Sequence, residues 1–579
     1  MKLSRLVLSL LVLVLPKPLL AGPDPLEPLR SLAIQDGGRI KPFDTYARET
    51  ARRVTGAKPF GFQRVMGLDP VEWVLSMMAD PDRWRREPGL IRVTHVGLRE
   101  AAKLPADKDR YSWDELTKHP GLAAAMEKVH EKVRADREAK LDPVEREVSG
   151  LEDTLGILDS VFTLSGIRVV PHPTDPRGTW FSLRDLDDAD AAPIMTIRTL
   201  RDALLRFAKD GDREHLGPAA SALSKRLASM APDTYPVAKD LRREVHYNTF
   251  KPFRLAWLLY LLGFFSLLAS LTLGGTFLGR AGLGLSFAAF VVHAYGMVIR
   301  SLISGRPPVT NMYESVIWVA WGAMLFALIF EAVYRVRFFA ACAGGVAVIS
   351  LILADNVPIL DGAIDPLVPV LRDNMWLTIH VLTITLSYAA FFLAMAIAHV
   401  CLGLYFFSPG RRDLLSKTSL FLYRCLQVGV LLGAAGTLLG GWWASYSWGR
   451  FWGWDAKETS IFVALMFYLA ILHGRMVGLL RDFGTAVAGV LGFLGVLWAW
   501  YGVNFVLGVG LHSYGFTEGR RFWLGIFCLG VMLLIGIGSI PRKIWASAEA
   551  LENDKSNIPL AKVNRNDGNT PRRPVGATA

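Results

Sequence analysis

The sequence predicts an all-α membrane protein: a polytopic helix bundle of about nine spans, preceded by a mostly helical extracytoplasmic domain. Three observations lead there. The 579 residues are 52% hydrophobic, with a mean hydropathy of +0.31, high for a water-soluble chain of this length. The apolar residues are unevenly spread: residues 22–252 are rich in charge, whereas 253–541 form a succession of long apolar runs. A helix needs about 20 apolar residues to cross the hydrocarbon core, and these runs supply them repeatedly. The composition excludes a disordered chain, a collagen-like fibre and a disulfide scaffold. The net charge of +12 is scattered over the front half and the loops, with no basic helix carrying interleaved aromatics. That pattern argues against nucleic acid as a partner.

The elements follow in chain order. Residues 1–21 combine Lys2 and Arg5, a short apolar run from Leu6 to Leu15, and Ala21, which reads as a secretory signal peptide. Leu19 fits a cleavage site poorly, so a retained anchor is the competing reading. Both put residues 22–252 outside the cytoplasm. In that domain Val144, Val148, Leu151, Leu155, Leu158 and Val161 step by three and four, the apolar face of a helix, and 197–207 is a second such stretch. Asp142-Pro143 and Pro232 punctuate it. Its five histidines, His95, His119, His130, His172 and His215, show no ligand spacing and read as solvated surface residues.

Nine spans are expected at about 254–277, 282–298, 314–334, 338–353, 376–407, 420–441, 459–477, 485–507 and 522–540. With an external start, each cytoplasmic turn carries positive charge: Arg280, then Arg335 and Arg337, then Arg411, Arg412 and Lys417, then Arg475 and Arg481, then Arg542 and Lys543. Arg300, Arg306, Arg372, Arg450, Arg520 and Arg521 fall on the wrong side. Residues 542–579 are polar and read as a disordered cytoplasmic tail. The four cysteines, Cys342, Cys401, Cys425 and Cys528, all lie in apolar runs and read as packing residues.

Residues 442–459 form an external loop in this topology and hold five of the 17 tryptophans within thirteen residues. One reading is a headgroup belt. The other is a platform of Trp443, Trp448, Trp452 and Trp454 for a large planar ligand, since stacked rings add about 0.5–1.5 kcal/mol each beyond their burial. Asp455 and Glu458 have the spacing of a helix-start capping box.

The stretch Trp448-Gly-x-x-Trp452-x-Trp454-Asp455-x-Lys457-Glu458-Thr459 resembles the tryptophan-rich WWD motif of haem-handling proteins of cytochrome c maturation. It is most similar to the CcsA (ResC) half of the system II cytochrome c synthase. Asn311-Met-Tyr313-Glu314-Ser315 resembles that family's Asn-x-Tyr-Glu-Ser stretch. His380 with Ser387-Tyr388-Ala389-Ala390-Phe391, and Gly502-Val-Asn504-Phe505 with Gly510-Leu511-His512-Ser513-Tyr514-Gly515, resemble its two external histidine helices. Gln35-Asp36-Gly37-Gly38-Arg39-Ile40-Lys41-Pro42-Phe43-Asp44-Thr45 is similar to an external segment of extended members. The family often has Gly-His where this chain has Gly305-Arg306.

The resemblance implies a cytochrome c synthase (haem lyase) subunit of the bacterial cytoplasmic (inner) membrane, with its front domain and tryptophan loop on the periplasmic side. It implies haem b taken from inside, moved outward and presented with bis-histidine ligation by His380 and His512. Trp443, Trp448, Trp452, Trp454, Asp455 and Glu458 would border it. His473, near the cytoplasmic end of its span, would ligate an inner haem, with a CcsB (ResB)-type membrane subunit supplying the second ligand and His293 as the within-chain alternative. The partners implied are apocytochrome c, whose Cys-x-x-Cys-His thiols would form thioethers with the haem vinyl groups, and, indirectly, thiol-reducing proteins. A haem exporter or chaperone that forms no bond is the competing expectation.

Overall fold

The computed structural model describes residues 24–507, other than 56–64, 106, 137–138, 140, 173–174, 176, 186–198, 200–201, 204–205, 207–209, 357–359, 361, 368–372 and 409. The expected signal peptide, the ninth apolar run, His512, Cys528, the polar tail and most of the 197–207 stretch lie outside the described residues.

The front half is organised around one apolar cluster that runs from Leu26 to Leu241 and includes Trp73, Trp84 and Trp180. It is mostly helical, with three small antiparallel ribbons that the sequence pattern does not announce. Strands of two to four residues are too short to display alternation. The first ribbon pairs β1 (Ala33–Asp36) with β2 (Arg39–Pro42) across Gly37 and Gly38, at φ +59° and +78°. Two left-handed residues give the turn whose twist matches a hairpin. Helices α1 (Phe43–Thr55), α2 (Pro70–Ala79), α3 (Pro143–Phe162), α4 (Leu216–Met230) and α5 (Ala238–Phe250) follow. α3 is the helix expected from the spacing of its apolar residues. Asp142 caps it, accepting from the amides of Val144 and Glu145, and Val148, Leu151, Leu155, Leu158 and Val161 are buried. Such a cap contributes about 1 kcal/mol.

Charge pairs bolt this half onto α5. Arg39 grips the Glu244 carboxylate with two bonds of 3.0 and 2.7 Å, and the Thr45 hydroxyl donates to the same group. Asn248 donates to Asp44 and Thr45. Burial works to raise the Asp44 carboxyl, but Arg48 and Arg30 beside it hold it below the ordinary carboxylate value.

Eight helices among the described residues are long and apolar enough to cross a membrane, the first continuing out of α5. They are α6 (Pro252–Thr272), α7 (Thr276–Ser304), α8 (Met312–Tyr334), α9 (Phe338–Asn356), α10 (Asn374–Phe407), α11 (Arg412–Trp448), α12 (Ala456–Met476) and α13 (Asp482–Leu507). The protein is a multi-pass helical membrane protein. Eight of the nine apolar runs thus form spans, several longer than hydropathy alone suggests. α11 extends to Trp448, because helix propagation past the apolar core satisfies each backbone amide internally.

The connections 305–311 and 449–455 and the segment 362–367 lie at the end nearest the front domain. The far turns carry Arg335, Arg337, Arg411, Arg412 and Arg481, with Arg475 in the last turn of α12. Three of the arginines that break this charge pattern are occupied locally: Arg300 pairs with Glu314, Arg306 donates to the Asp365 carbonyl, and Arg450 pairs with Glu458. The β1–β2 turn touches the same end of the bundle. A Cβ on Gly38 would come within 3.0 Å of the Pro366 ring.

α10 and α11 approach closely because one face of α11 is glycine. Added Cβ atoms at Gly429, Gly436 and Gly440 would meet Phe391, Ile384 and His380 of α10 at 2.5, 2.8 and 2.6 Å. Small residues at helical spacing let membrane helices gain contact where water exclusion contributes nothing. Behind this seam Phe391 stacks on Tyr468 of α12 with ring centres 4.0 Å apart. The cysteines Cys342, Cys401 and Cys425 are free thiols within spans.

Candidate functional site

The near end of the bundle encloses a cavity of about 420 Å³, lined by the starts of α8, α10 and α12 and the ends of α11 and α13. His380 is on its wall. It lies in a π-helical turn, Leu377–Val381, that interrupts the early part of α10. Such turns shift side chains off the regular helical register and recur at functional sites. The Gly436 carbonyl can only accept, so Nδ1 of His380 carries the proton and donates at 2.9 Å. The neutral ring then has its lone pair on Nε2. In metal sites generally, an outer hydrogen bond of this kind sets the tautomer of the ligating imidazole. Trp443 lies against the ring, centres 5.6 Å apart.

The tryptophan segment is only partly a loop. Trp442 to Trp448 continue α11, and the non-helical stretch is confined to 449–455. Gly449, at φ +67°, ends α11 in the left-handed conformation that glycine adopts without strain. Trp443, buried with Trp376 and Leu377, lines the cavity together with Trp448 and Trp452. Trp454 does not line it. That residue is 66% exposed, at φ +57°, edge-on to Trp452 and Phe462. Asp455 and Glu458 form the capping box of α12.

Glu458 does more than cap. Its carboxylate accepts from the Gly453 amide at 2.7 Å and from Arg450 at 2.9 Å, and Arg450 lies over the Trp448 ring. The carboxylate therefore ties the whole turn together. Asp455→Asn is expected to leave stability within a few tenths of a kcal/mol of the parent, because Asn caps as well as Asp, whereas Asp455→Ala costs about 1 kcal/mol. Thermal unfolding in detergent measures both. An Asp455→Asn protein that folds normally yet loses activity assigns the charge a role beyond capping.

The Asn-x-Tyr-Glu-Ser stretch becomes a scaffold for the cavity. Asn311 caps α8 through the Glu314 amide at 2.8 Å. Glu314, fully buried, holds Arg300 at 2.7 Å and accepts from Thr310. Arg300 passes over Tyr313 and donates to the carbonyls of Gly362 and Ala363 at 2.8 and 3.1 Å. Arg306, where the family often has histidine, donates to the carbonyl of Asp365, a cavity-lining residue, at 2.7 Å. The Ser315 hydroxyl accepts from the Trp500 indole at 3.0 Å.

Trp500 and Asn504 come from a second π-helical stretch, Trp498–Leu507, and complete the wall. The roles of Trp500, Arg450, Arg300 and the α11 glycines were not read from the sequence. The glycine face has a visible signal, the four-three-four spacing of Gly429, Gly433, Gly436 and Gly440, but the π-helical register has none. Two buried polar atoms on the cavity wall have no hydrogen-bond partner among the described residues: the Trp452 indole nitrogen and the Asn504 side-chain oxygen. Buried orphans of this kind mark a place for a polar ligand or water.

The other histidines are elsewhere. His293 is buried in α7, edge-on to Phe253 and Tyr260. His473 is exposed in the last turn of α12, its Nδ1 donating to the Leu469 carbonyl at 2.8 Å. The structure does not bring these two together: α7 packs on α6 and α8, and α12 on α11 and α13. Among the described residues no group of three or more His, Cys, Asp or Glu side chains has metal-binding proximity.

Comparison with known proteins matches residues 309–512 to the cytochrome c assembly protein family. Protein NrfI of Wolinella succinogenes is 29% identical over 498 residues, 82% of this chain and 53% of NrfI. The chain thus spans about half the length of that relative, and the match reaches well into the front domain. Cytochrome c biogenesis protein CcsA of Prochlorococcus marinus subsp. pastoris is 32% identical over 257 residues, 39% of this chain and 80% of CcsA. Among solved structures, the cytochrome c haem lyase CcmF aligns over 51% of each chain at 16% identity with a TM-score of 0.37, too distant to carry an argument. The identity to CcsA over four-fifths of its length, with the family match over 309–512, makes this chain a member of the CcsA family of cytochrome c biogenesis proteins.

Proposed function

We propose that the cavity holds haem b and presents it for covalent attachment to apocytochrome c. The observation that carries this reading is the wall itself: an imidazole with its Nδ1–H tied to the Gly436 carbonyl, amid Trp443, Trp448, Trp452 and Trp500. The donor set fits a tetrapyrrole. One nitrogen is poised as an axial ligand, flat aromatic surface is at hand for the macrocycle, and a few polar groups sit at the margins. His512 follows the last described span by five residues and is proposed as the second axial ligand.

In this reading no side chain of the protein acts as a nucleophile. Each thiol of the apocytochrome adds across a haem vinyl group, sulfur to one carbon and hydrogen to the other, with no net oxidation. The protein contributes position, which raises the effective concentration of the two partners. The front domain and the tryptophan turn are proposed to be periplasmic, and the arginine-rich end cytoplasmic, in the inner membrane of a bacterium. Residues 1–21, 22–252, 253–541 and 542–579 are proposed as signal peptide, external domain, haem-handling domain and tail. His473, exposed at the far end, is proposed to share an inner haem with a histidine of a CcsB-type subunit. His293, enclosed by Phe253 and Tyr260, is the less favoured partner.

The test is co-expression of this chain with an apocytochrome c and a CcsB-type subunit. Haem that survives acid-acetone extraction on the apocytochrome is expected; haem that stays extractable supports an exporter or chaperone instead. In the same system His473→Ala is expected to empty the outer site as well as the inner one, because the outer site fills from within. Full haem at the outer site in that variant would remove the relay from the proposal.

A further inference from the structure

Lys457 lines the cavity and has no part in the reading above. The residue as a whole is half-buried, while its ammonium end is enclosed by protein. Among the described residues the ammonium makes one hydrogen bond, a long one of 3.4 Å to the Trp500 carbonyl. Among the described residues no carboxylate lies within ion-pair distance of it. The two carboxylates nearest in sequence are engaged: Asp455 accepts from the amides of Lys457 and Glu458, and Glu458 holds Arg450. Lys457 is also the second residue of α12, where the helix dipole is positive and acidic residues are favoured. A buried ammonium that feels the Asp455 charge only from beyond ion-pair distance, at the positive end of a helix, is stabilised when an anion joins it. The cavity has room for that anion, and the unpartnered Trp452 indole nitrogen and Asn504 oxygen share its wall.

We propose that Lys457 is the carboxylate subsite of the cavity: it takes an anionic side group of the planar ligand whose ring lies on the tryptophan wall. Resting on the haem reading, this makes the side group a propionate and sets the rotation of the macrocycle about the iron axis. Trp452 and Trp500 flank the subsite, so the propionate edge faces α12 and α13. The two vinyl groups, on the opposite side of the ring, then face away from Lys457.

The experiment titrates the full chain, purified in a neutral detergent, with iron protoporphyrin IX and with its dimethyl ester, followed by absorbance. The wild type is expected to bind the free acid about tenfold or more tighter than the ester, the size of one charge-assisted hydrogen bond. Lys457→Met is expected to bring the two affinities together by weakening the acid alone, and Lys457→Arg to keep the preference. An undiminished preference in Lys457→Met overturns the assignment. Equal affinity for acid and ester in the wild type overturns it too, without requiring any variant to fold, and leaves the haem reading standing. Failure of both porphyrins to bind the wild type removes the haem reading and this inference together.

Discussion

Replacing His380 by alanine is expected to strip the purified protein of most of its haem, and added imidazole to return part of it. The ring is held by the Gly436 carbonyl at 2.9 Å and lies against Trp443, so its removal leaves a hole shaped for free imidazole. Haem content and the absorbance spectrum, measured with and without imidazole, read the effect. Gly440→Val provides a second approach to the same site. A Cβ there would sit 2.6 Å from the imidazole, so the ring must move although it is still present. Haem retention should fall in this variant as well, but imidazole should not rescue it, since the displaced ring still fills the space. Wild-type haem content in His380→Ala would sink the assignment.

Arg300→Met is expected to give the largest loss of stability of any single change at this end of the bundle. Arg300 and Glu314 are both fully buried, 2.7 Å apart. Removing the cation leaves an uncompensated carboxylate in a low-dielectric interior, which costs about 3–5 kcal/mol. It also releases the Gly362 and Ala363 carbonyls, and with them the segment that carries Asp365 to the cavity. Arg300→Met combined with Glu314→Leu should be more stable than Arg300→Met alone, because no charge is then stranded. The comparison of apparent unfolding temperatures in detergent across the two single variants and the double gives the coupling. A double variant no more stable than the single would mean that the pair does not act as a unit.

Much of the architecture is legible in the amino-acid sequence. The apolar runs locate the eight described spans because a bilayer imposes length and composition on every helix that crosses it. The Asp455 box and the apolar face of α3 are readable because they are set by contacts within four residues, whereas the Asp142 box, read only as punctuation, emerges in the structure. Motif resemblance singled out His380 and the tryptophan segment. It treated that segment as a loop throughout, whereas α11 runs through Trp448. Local hydropathy falls there, but a helix does not stop where its apolar face does.

Sequence alone determined the approximate spans, the capped start of α12 and the chemically distinctive residues, since each depends on residues close together in the chain. Tertiary structure decided which of those residues share a wall. Trp454 is motif-perfect yet faces outward, and Trp500, 120 residues from His380, lines the same cavity. Two π-helical stretches turn His380 and Trp500 to their positions, and their register depends on packing against other helices. Arg300, which looked like an exception to the charge rule, proves to be the tie between α7, α8 and the 362–367 segment. A charge on the wrong side of a membrane is costly only when unpaired, and pairing between residues distant in the chain is not visible until the helices have packed.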